Sequence, residues 1–549
     1  MHIDVTNLHG RHATNRWERV SVGDTLERLI WSYPDKEAII GWEGAYGEPE
    51  FARLTYREAD ELANRVANGF LGEGLSRGDR VLLFSENSVE AFMAKIAIAK
   101  AGLVAVPLNP SLAPEVIVEL LRKTEPSYSI VDAELWPRAE TAFEEVGLSV
   151  GITIAIGGGA IPGSRTFGEF AQGRSSVEPD VEIHGDDIWE ILFTSGTTAL
   201  PKGAMVSHNS SMMGAYSFAL TLTRGVHIEC DLKLATFLPI IYHVADQVFT
   251  FPAFLSGGTL LIGRRPVPDA VAAAIATEKV TALWGGSPAM VNGVAKSLRE
   301  GETPLDVTSL KVVVYGWAAL PPETLSYLKE RCGDDLVAVE IFGQTECISC
   351  HRFWPDKWPE VYAATAPQHN YVGVPNPMLA SVVVDPEGNS LEGKPFVPGE
   401  AVYRSPAITS GYYLDEAATR EAFRGGWFHS GDSCVYDDSG LRVMVDRYKD
   451  IVKTGGENVS TIRVEAILHQ HPGVEKAAVI GLPDERWGEA VTAVVVPRVD
   501  PPPSEAELIA FCRERLAGFE TPKRVIYMNA LPETVGGKVL KYKLRQSLG

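Results

Sequence analysis

The chain runs to 549 residues, a length that suits three or four folding units. Apolar residues make up 45% and charged residues 22%, ordinary for a chain with a large core and unlike a disordered one. Its 50 Lys+Arg against 71 Asp+Glu leave −21, which argues against a nucleic-acid binder working through bulk positive charge. The first twenty residues contain no apolar run, so no secretory signal is expected. Tyr56–Phe70 spaces its apolar residues by three and four and predicts an amphipathic helix. Arg80–Phe84 reads as a buried strand, Val89–Ala101 as a helix and Leu103–Pro107 as a strand. The pattern recurs at Lys233–Leu238, Thr259–Ile262, Val280–Trp284 and Lys311–Tyr315, predicting a mostly parallel sheet with helices on both faces. The longest uncharged apolar stretch, Val248–Ile262, is broken by Pro252, Gly257 and Gly258 and is too short to span a bilayer. Beyond about Tyr371 short strands with turns take over, at Ser381–Asp385, Glu400–Tyr403 and Arg442–Asp446. Val464–Leu468, Ala477–Ile480, Val491–Val496 and Ala506–Leu516 read as a separate small α+β unit.

Charge supports a boundary near Asp446/Arg447. Residues 447–549 carry 15 basic and 13 acidic side chains, a net of +2, and leave −23 on residues 1–446. A near-neutral cap whose last 33 residues carry 6 basic against 2 acidic side chains suits closure over an anionic ligand. Six cysteines cannot form a disulfide scaffold in a chain this long. Cys347-Ile-Ser-Cys350-His351 fits the form of a covalent haem attachment site, but that chemistry needs export, and no second pair stands at zinc spacing. His469-Gln-His471 reads as a solvent-facing pair at the end of an element.

Five segments carry chemistry. Ile191-Leu-Phe-Thr194-Ser195-Gly196-Thr197-Thr198-Ala199-Leu-Pro-Lys202-Gly runs a strand into a loop rich in hydroxyls and glycine that ends in a lysine. Such a loop offers N–H groups, hydroxyls and an ammonium to a polyphosphate, without being a Walker A loop. Ile341-Phe342-Gly343-Gln344-Thr345-Glu346 sets a hydroxyl beside a carboxylate, the donor type Mg²⁺ needs next to phosphate oxygens. Gly426–Asp432 places a carboxylate, read as lying in a turn, where it can accept both hydroxyls of a ribose. Asp446-Arg447-Tyr448-Lys449-Asp450-Ile-Val-Lys453-Thr-Gly455-Gly456-Glu457-Asn458 crosses the boundary, and Gly536-Gly537-Lys538 puts a lysine on a glycine loop near the C-terminus.

These five motifs, in this order and over roughly Leu26 to Arg545, resemble the AMP-forming adenylating superfamily of acyl-CoA synthetases, peptide-synthetase adenylation domains and luciferases. The resemblance implies an α/β fold. A large N-terminal domain (1–446) of layered, mostly parallel sheets with helices and a small barrel-like subdomain is followed by a small mobile α+β domain (447–549). It implies two half-reactions: a carboxylate attacks ATP to give acyl-AMP and pyrophosphate, and a thiol then displaces AMP. Residue by residue, Thr194, Ser195, Gly196, Thr197, Thr198 and Lys202 match the phosphate loop, with Ala199 where the family generally has glycine. Thr345 and Glu346 match the phosphate and Mg²⁺ contacts, Asp432 the ribose clamp and Arg447 a second nucleotide contact. Gly316, Trp317 and Ala318 match the adenine-side loop, with Trp317 in place of a small residue, and Phe342, Gly343 and Gln344 precede the Thr-Glu pair. Lys449 falls on the hinge and Lys538 on the catalytic lysine of adenylation. Lys453, Gly455, Gly456 and Glu457 belong to the form common in CoA ligases, so ATP, Mg²⁺ and CoA are the implied cofactors.

A carrier-protein ligase is the alternative, and a non-catalytic nucleotide-binding relative a more distant one. Around Phe237–Val244 no carboxylate stands where amino-acid-activating domains hold the substrate's amino group, with Asp246 slightly downstream as the rival, which favours an acid without an amino group. By resemblance Tyr242, His243, Trp284, Gly285, Gly286, Trp317 and Gly343 line the acyl pocket. The two glycines read as enlarging it and Trp317 as filling it from another wall, favouring a bulky or ring-containing acid. A cytoplasmic protein with small-molecule partners, no nucleic acid and no membrane span is expected.

Overall fold

The computed structural model describes residues 19–194, 201–223, 228, 231–240, 249–533 and 539–549. Three sheets organise them. In the first, Arg165–Thr166, Ile152–Ile154, Tyr128–Asp132, Arg80–Phe84, Val104–Pro107, Ile188–Phe193 and Gly203–Ser207 lie side by side, all parallel except the last. The second has 13 strands. Glu37–Gly41, Thr259–Ile262, Lys233–Thr236, Ala282–Gly286, Val312–Gly316 and Val337–Gln344 form its parallel part. It continues antiparallel through Cys347–Phe353, Asn370–Pro375, Arg442–Arg447, Phe428–Tyr436, Gly399–Arg404 and Ala380–Val384, and at its other edge Arg53–Thr55 pairs antiparallel with Glu37–Gly41.

Two helices show how the layers close. Tyr56–Gly72 begins with a capping box: the Thr55 hydroxyl accepts from the Glu58 N–H and the Glu58 carboxylate accepts from Thr55 N–H. Its Ala59, Leu62, Ala63, Val66, Ala67 and Phe70 face inward, the three-and-four spacing read from the sequence. Val89–Lys100 is buried on every side, so it carries no polar face at all. One core takes Val81, Ile130 and Ile152 from the first sheet and Ile39, Leu260 and Trp284 from the second. Each such aliphatic side chain withdrawn from water contributes about 1.5–3 kcal/mol. The lysines inside Val89–Lys100 are neutralised locally, Lys95 by Glu190 and Lys100 by Asp60 and Glu178.

A smaller sheet begins after the large one ends at Arg447. Glu457–Val459, Val452–Thr454, Gly488–Pro497 and Val474–Asp484 are antiparallel, and Arg524–Tyr527 joins parallel to Gly488–Pro497. Helices Thr461–Leu468 and Glu505–Arg513 pack on it around Val464, Leu468, Val479, Val491 and Leu508. The expected class, layered α/β followed by a small α+β unit, is the class observed. Two local expectations fail. His471 is buried against the Phe511 ring at 4.9 Å, and only His469 faces solvent. Asp432 lies within the strand Phe428–Tyr436 rather than in a turn; a register irregularity beside Gly431, whose φ is +70°, re-aims the chain just before it.

Candidate active site

The first cluster forms where the sheets meet at their strand ends. Thr194 N–H donates to the Lys202 carbonyl at 2.9 Å, so the ends of the phosphate-type loop are clamped by the hairpin Ile188–Phe193/Gly203–Ser207. Ser195, Gly196, Thr197 and Thr198 lie outside the described residues, as does Ala199. Lys202 holds its ammonium 4.9 Å from the centre of the Tyr412 ring. Across that ring, the Tyr412 hydroxyl donates to Glu346 Oε1 at 2.8 Å. Burial first, and then the Glu346 charge, push the Tyr412 hydroxyl's pKa upward, so it stays a proton donor. Glu346 is buried, and Thr345 beside it occupies the turn between Val337–Gln344 and Cys347–Phe353.

The second cluster lies on the neighbouring strands. Asp432 and Arg447 are paired in register, and Arg447 Nε stands 2.6 Å from Asp432 Oδ1. The Ser430 carbonyl accepts from Arg447 Nη1 at 3.3 Å and from Gln344 Nε2 at 3.5 Å. Burial opposes the Arg447 charge, but Asp432 and then Glu346 raise its pKa above the ordinary value. That shared field joins the two clusters into one site. Gln344 and Phe342 end the strand that carries Thr345 and Glu346, and the Phe342 ring lies 6.3 Å from His351. His351 itself is fully buried and held neutral by burial and by the Arg442 charge; its Nε2 lies 3.1 Å from Ser381 Oγ. It is core and offers nothing to a haem.

Glu346 and Thr345 present hard oxygen donors. Among the described residues Glu346 accepts from Tyr412 and makes no ion pair, so its buried charge is left for a cation, and this donor set fits Mg²⁺. Asp24, Glu27 and Glu178 also bring carboxylate oxygens within 4.8 Å of one another. There Arg19 lies 2.9 Å from Asp24 and Lys100 pairs with Glu178, which makes that group an internal charge network.

On the acyl side, a Cβ at Gly316 would lie 2.6 Å from the Ile341 carbonyl, so only glycine fits where this strand end meets its neighbour. Trp317 follows in the left-handed region with φ +72°, and Ala318 lies beyond it half-buried. The Trp317 ring stands 6.0 Å from Trp284, which stacks on Phe249 at 4.2 Å. Gly285 and Gly286 do not open the pocket as expected: Val291 and Leu238 occupy the space, at 2.6 and 2.4 Å from a Cβ built there. Tyr242 and His243 lie outside the described residues. The segment just before them is held from below, because Asn87 donates to the Leu238 carbonyl at 2.8 Å and accepts from Ile240 N–H at 2.8 Å. Lys95 donates to the Ile240 carbonyl at 3.2 Å while pairing with Glu190 on the strand that leads to the phosphate loop.

Lys449 follows Arg447 at the junction of the large and small sheets. Burial and the adjacent Arg447 charge lower its pKa. Asp450 N–H and Ile451 N–H both donate to the Arg447 carbonyl, at 2.8 and 3.1 Å. Asp450 is tied to the C-terminal helix Lys541–Leu548 by Arg545 at 2.8 Å, and Lys541 of the same helix pairs with Glu465 at 2.8 Å. Lys453, Gly455, Gly456 and Glu457 form the exposed tip of the hairpin Val452–Thr454/Glu457–Val459, with positive φ at both glycines. Lys538 lies outside the described residues. Sequence reasoning missed Tyr412, Asn87 and Lys95. Only Lys95 left a signal, a lysine in the middle of a stretch, Ala91–Ala99, that is otherwise apolar.

The family profile described as AMP-binding enzyme matches residues 26–413, and that described as AMP-binding enzyme C-terminal domain matches residues 463–538. A feruloyl-CoA synthase from Amycolatopsis is 32% identical over 90% of this chain and 94% of its own length. The long-chain-fatty-acid–CoA ligase FadD13 of Mycobacterium tuberculosis is 31% identical over 95% of this chain and 98% of its own. The crystal structure of ATP-bound MatB from Rhodopseudomonas palustris superposes with a TM-score of 0.80 at 27% identity, over 96% of this chain and 98% of that one. The chain belongs to the AMP-forming adenylating enzymes, in the branch that holds the acyl-CoA synthetases. No helix among the described residues is long and apolar enough to cross a membrane.

Proposed function

We propose that this protein joins an aromatic or other ring-containing carboxylic acid to CoA at the expense of ATP, working in the cytoplasm with residues 1–446 and 447–549 as its two moving parts. The reading is supported most by the convergence of Lys202, Glu346, Gln344, Asp432 and Arg447 on one strand-end region. Ligands of parallel α/β sheets bind at the carboxyl ends of the strands. Asp432 accepts the ribose hydroxyls, Gly316–Ala318 and Phe342–Gln344 flank the base, and Thr194–Thr198 with Lys202 and Thr345 take the phosphates. Arg447 adds a second nucleotide contact. Glu346 would hold Mg²⁺, which would neutralise charge on the phosphates.

In the first half-reaction a carboxylate oxygen attacks the α-phosphorus, the bond to the bridging oxygen breaks, and pyrophosphate leaves. Lys538 bridges the attacking carboxylate and the α-phosphate, aligning them and offsetting the developing charge. The small domain then turns about Lys449 and brings the Lys453–Glu457 hairpin to the site. The CoA sulfur attacks the acyl carbon, AMP leaves with the former carboxylate oxygen, and the thiol proton passes to solvent. The ring preference rests on the Phe249–Trp284–Trp317 aromatic wall, and the resemblance adds Gly343, Tyr242 and His243 to the lining. It is tested by pyrophosphate release over aromatic, alicyclic and straight-chain acids with CoA-thioester formation measured in parallel. Aromatic acids are expected to give the highest kcat/KM, and a flat profile or a long-chain optimum refutes the preference.

A further inference from the structure

Tyr412 touches both halves of the phosphate machinery, and nothing in the five motifs accounts for it. It lies on Ile408–Tyr413, a segment stitched to two catalytic elements by backbone bonds. On one side Met205 N–H donates to the Gly411 carbonyl at 2.9 Å, Ser410 N–H to the Met205 carbonyl at 2.9 Å and Tyr413 N–H to the Gly203 carbonyl at 2.8 Å. On the other, Thr409 N–H donates to the Glu346 carbonyl at 2.8 Å. The Thr409 hydroxyl reinforces the first side by donating to the Met205 carbonyl at 2.7 Å. The segment therefore spans the gap between the hairpin strand behind Lys202 and the turn that carries Glu346. Tyr412 is 7% exposed; its hydroxyl reaches Glu346 Oε1 at 2.8 Å and its ring face lies 4.9 Å from the Lys202 ammonium.

We infer that Tyr412 is a positioning residue for adenylation, which fixes the Glu346 carboxylate through its hydroxyl and the Lys202 ammonium through its ring, so that metal and lysine act on the phosphates in one register. The inference rests on the function proposed above. A hydrogen-bond donor to a metal-binding carboxylate restricts its rotation and keeps its second oxygen free for the ion. A ring face holds an ammonium by its quadrupole without consuming the N–H donors the phosphates need. A phenol that only filled space would do neither.

Tyr412→Phe keeps the ring and removes the donor, and Tyr412→Leu removes both. In acid-dependent pyrophosphate release, Tyr412→Phe should raise the Mg²⁺ concentration for half-maximal rate about tenfold, with KM for ATP nearly unchanged. Tyr412→Leu should show the same metal defect and, in addition, a KM for ATP raised about threefold. Mn²⁺ titrated against the enzyme with α,β-methylene-ATP, read by electron paramagnetic resonance, should show the same tenfold loss in both variants without any turnover. Wild-type metal dependence and Mn²⁺ binding in Tyr412→Phe overturn the inference for Glu346. Equal KM values for ATP in the two variants overturn it for Lys202. If the wild-type enzyme releases no pyrophosphate with any acid, the proposed function fails, while the Mn²⁺ titration still decides the role of Tyr412.

Discussion

Replacing Asp432 by Asn weakens the ribose contact with little change of shape, and it also removes the charge that faces Arg447. The carboxylate is 1% exposed and stands 2.6 Å from Arg447 Nε, so its charge is both desolvated and held in place. A carboxylate that accepts two ribose hydroxyls makes two charge-assisted bonds. Asn keeps one neutral acceptor and turns an N–H₂ toward the second hydroxyl. One charged bond lost and one weakened to a neutral bond amounts to about 2–4 kcal/mol, or roughly 30- to 1,000-fold in ATP affinity. The chemical step gains nothing from the ribose, so kcat should fall much less than kcat/KM. The assay is pyrophosphate release against ATP concentration, run in parallel with 2′,3′-dideoxy-ATP. On the dideoxy nucleotide the variant should lose no more than the one neutral bond Asn keeps, about 0.5–1.5 kcal/mol and well short of the wild-type loss, because the two changes delete overlapping bonds. Additive losses would show that Asp432 acts somewhere other than on the ribose, and an unchanged KM for ATP would refute the clamp outright.

Lys449→Pro fixes φ near −65° at the junction where Asp450 and Ile451 fold back on the Arg447 carbonyl, so acyl-AMP should still form while thioester formation stalls; equal loss of both steps counts against a hinge there. Lys538→Ala should lower acyl-AMP formation by about two to three orders of magnitude, and the same variant supplied with acyl-AMP and CoA should make thioester at close to the wild-type rate. His208 is buried with its ring nitrogen accepting from Val22 N–H at 3.1 Å, and burial lowers its pKa to about 3. As pH falls below 6.5 the unfolded chain takes up a proton that the folded chain refuses, so this histidine's contribution to stability is present above 6.5 and is lost toward 3. Between pH 7 and 5 the unfolding free energy of wild type minus that of His208→Asn should drop by about 2 kcal/mol in denaturant titrations, and a pH-independent difference would refute the buried neutral imidazole.

What the chain reveals in one dimension depends on how far each cause reaches along it. The helix Tyr56–Gly72 is legible because its cap and its inward face repeat within one or two turns, Thr55 with Glu58 and then Ala59, Leu62, Ala63 and Val66. The site motifs are legible for a related reason: Gln344, Thr345 and Glu346, or Asp446 through Lys449, must be neighbours in sequence for one strand end to present them together. Asp432 misleads because the glycine before it signals a turn, whereas the strands on either side keep it in register with Arg447 and turn Gly431 into a local irregularity. Gly285 and Gly286 mislead in the opposite way. An absent side chain reads as empty space, yet Val291 from the helix that follows and Leu238 from a segment far back along the chain fill it. Tyr412 is invisible for the strongest form of this reason. Its two partners, Lys202 and Glu346, lie 210 and 66 positions away, and its own neighbours carry no periodicity that would single it out. Motifs mark the groups that touch the reacting atoms, while the side chains that aim those groups act across the fold, so the aiming residues are read only from three-dimensional contact.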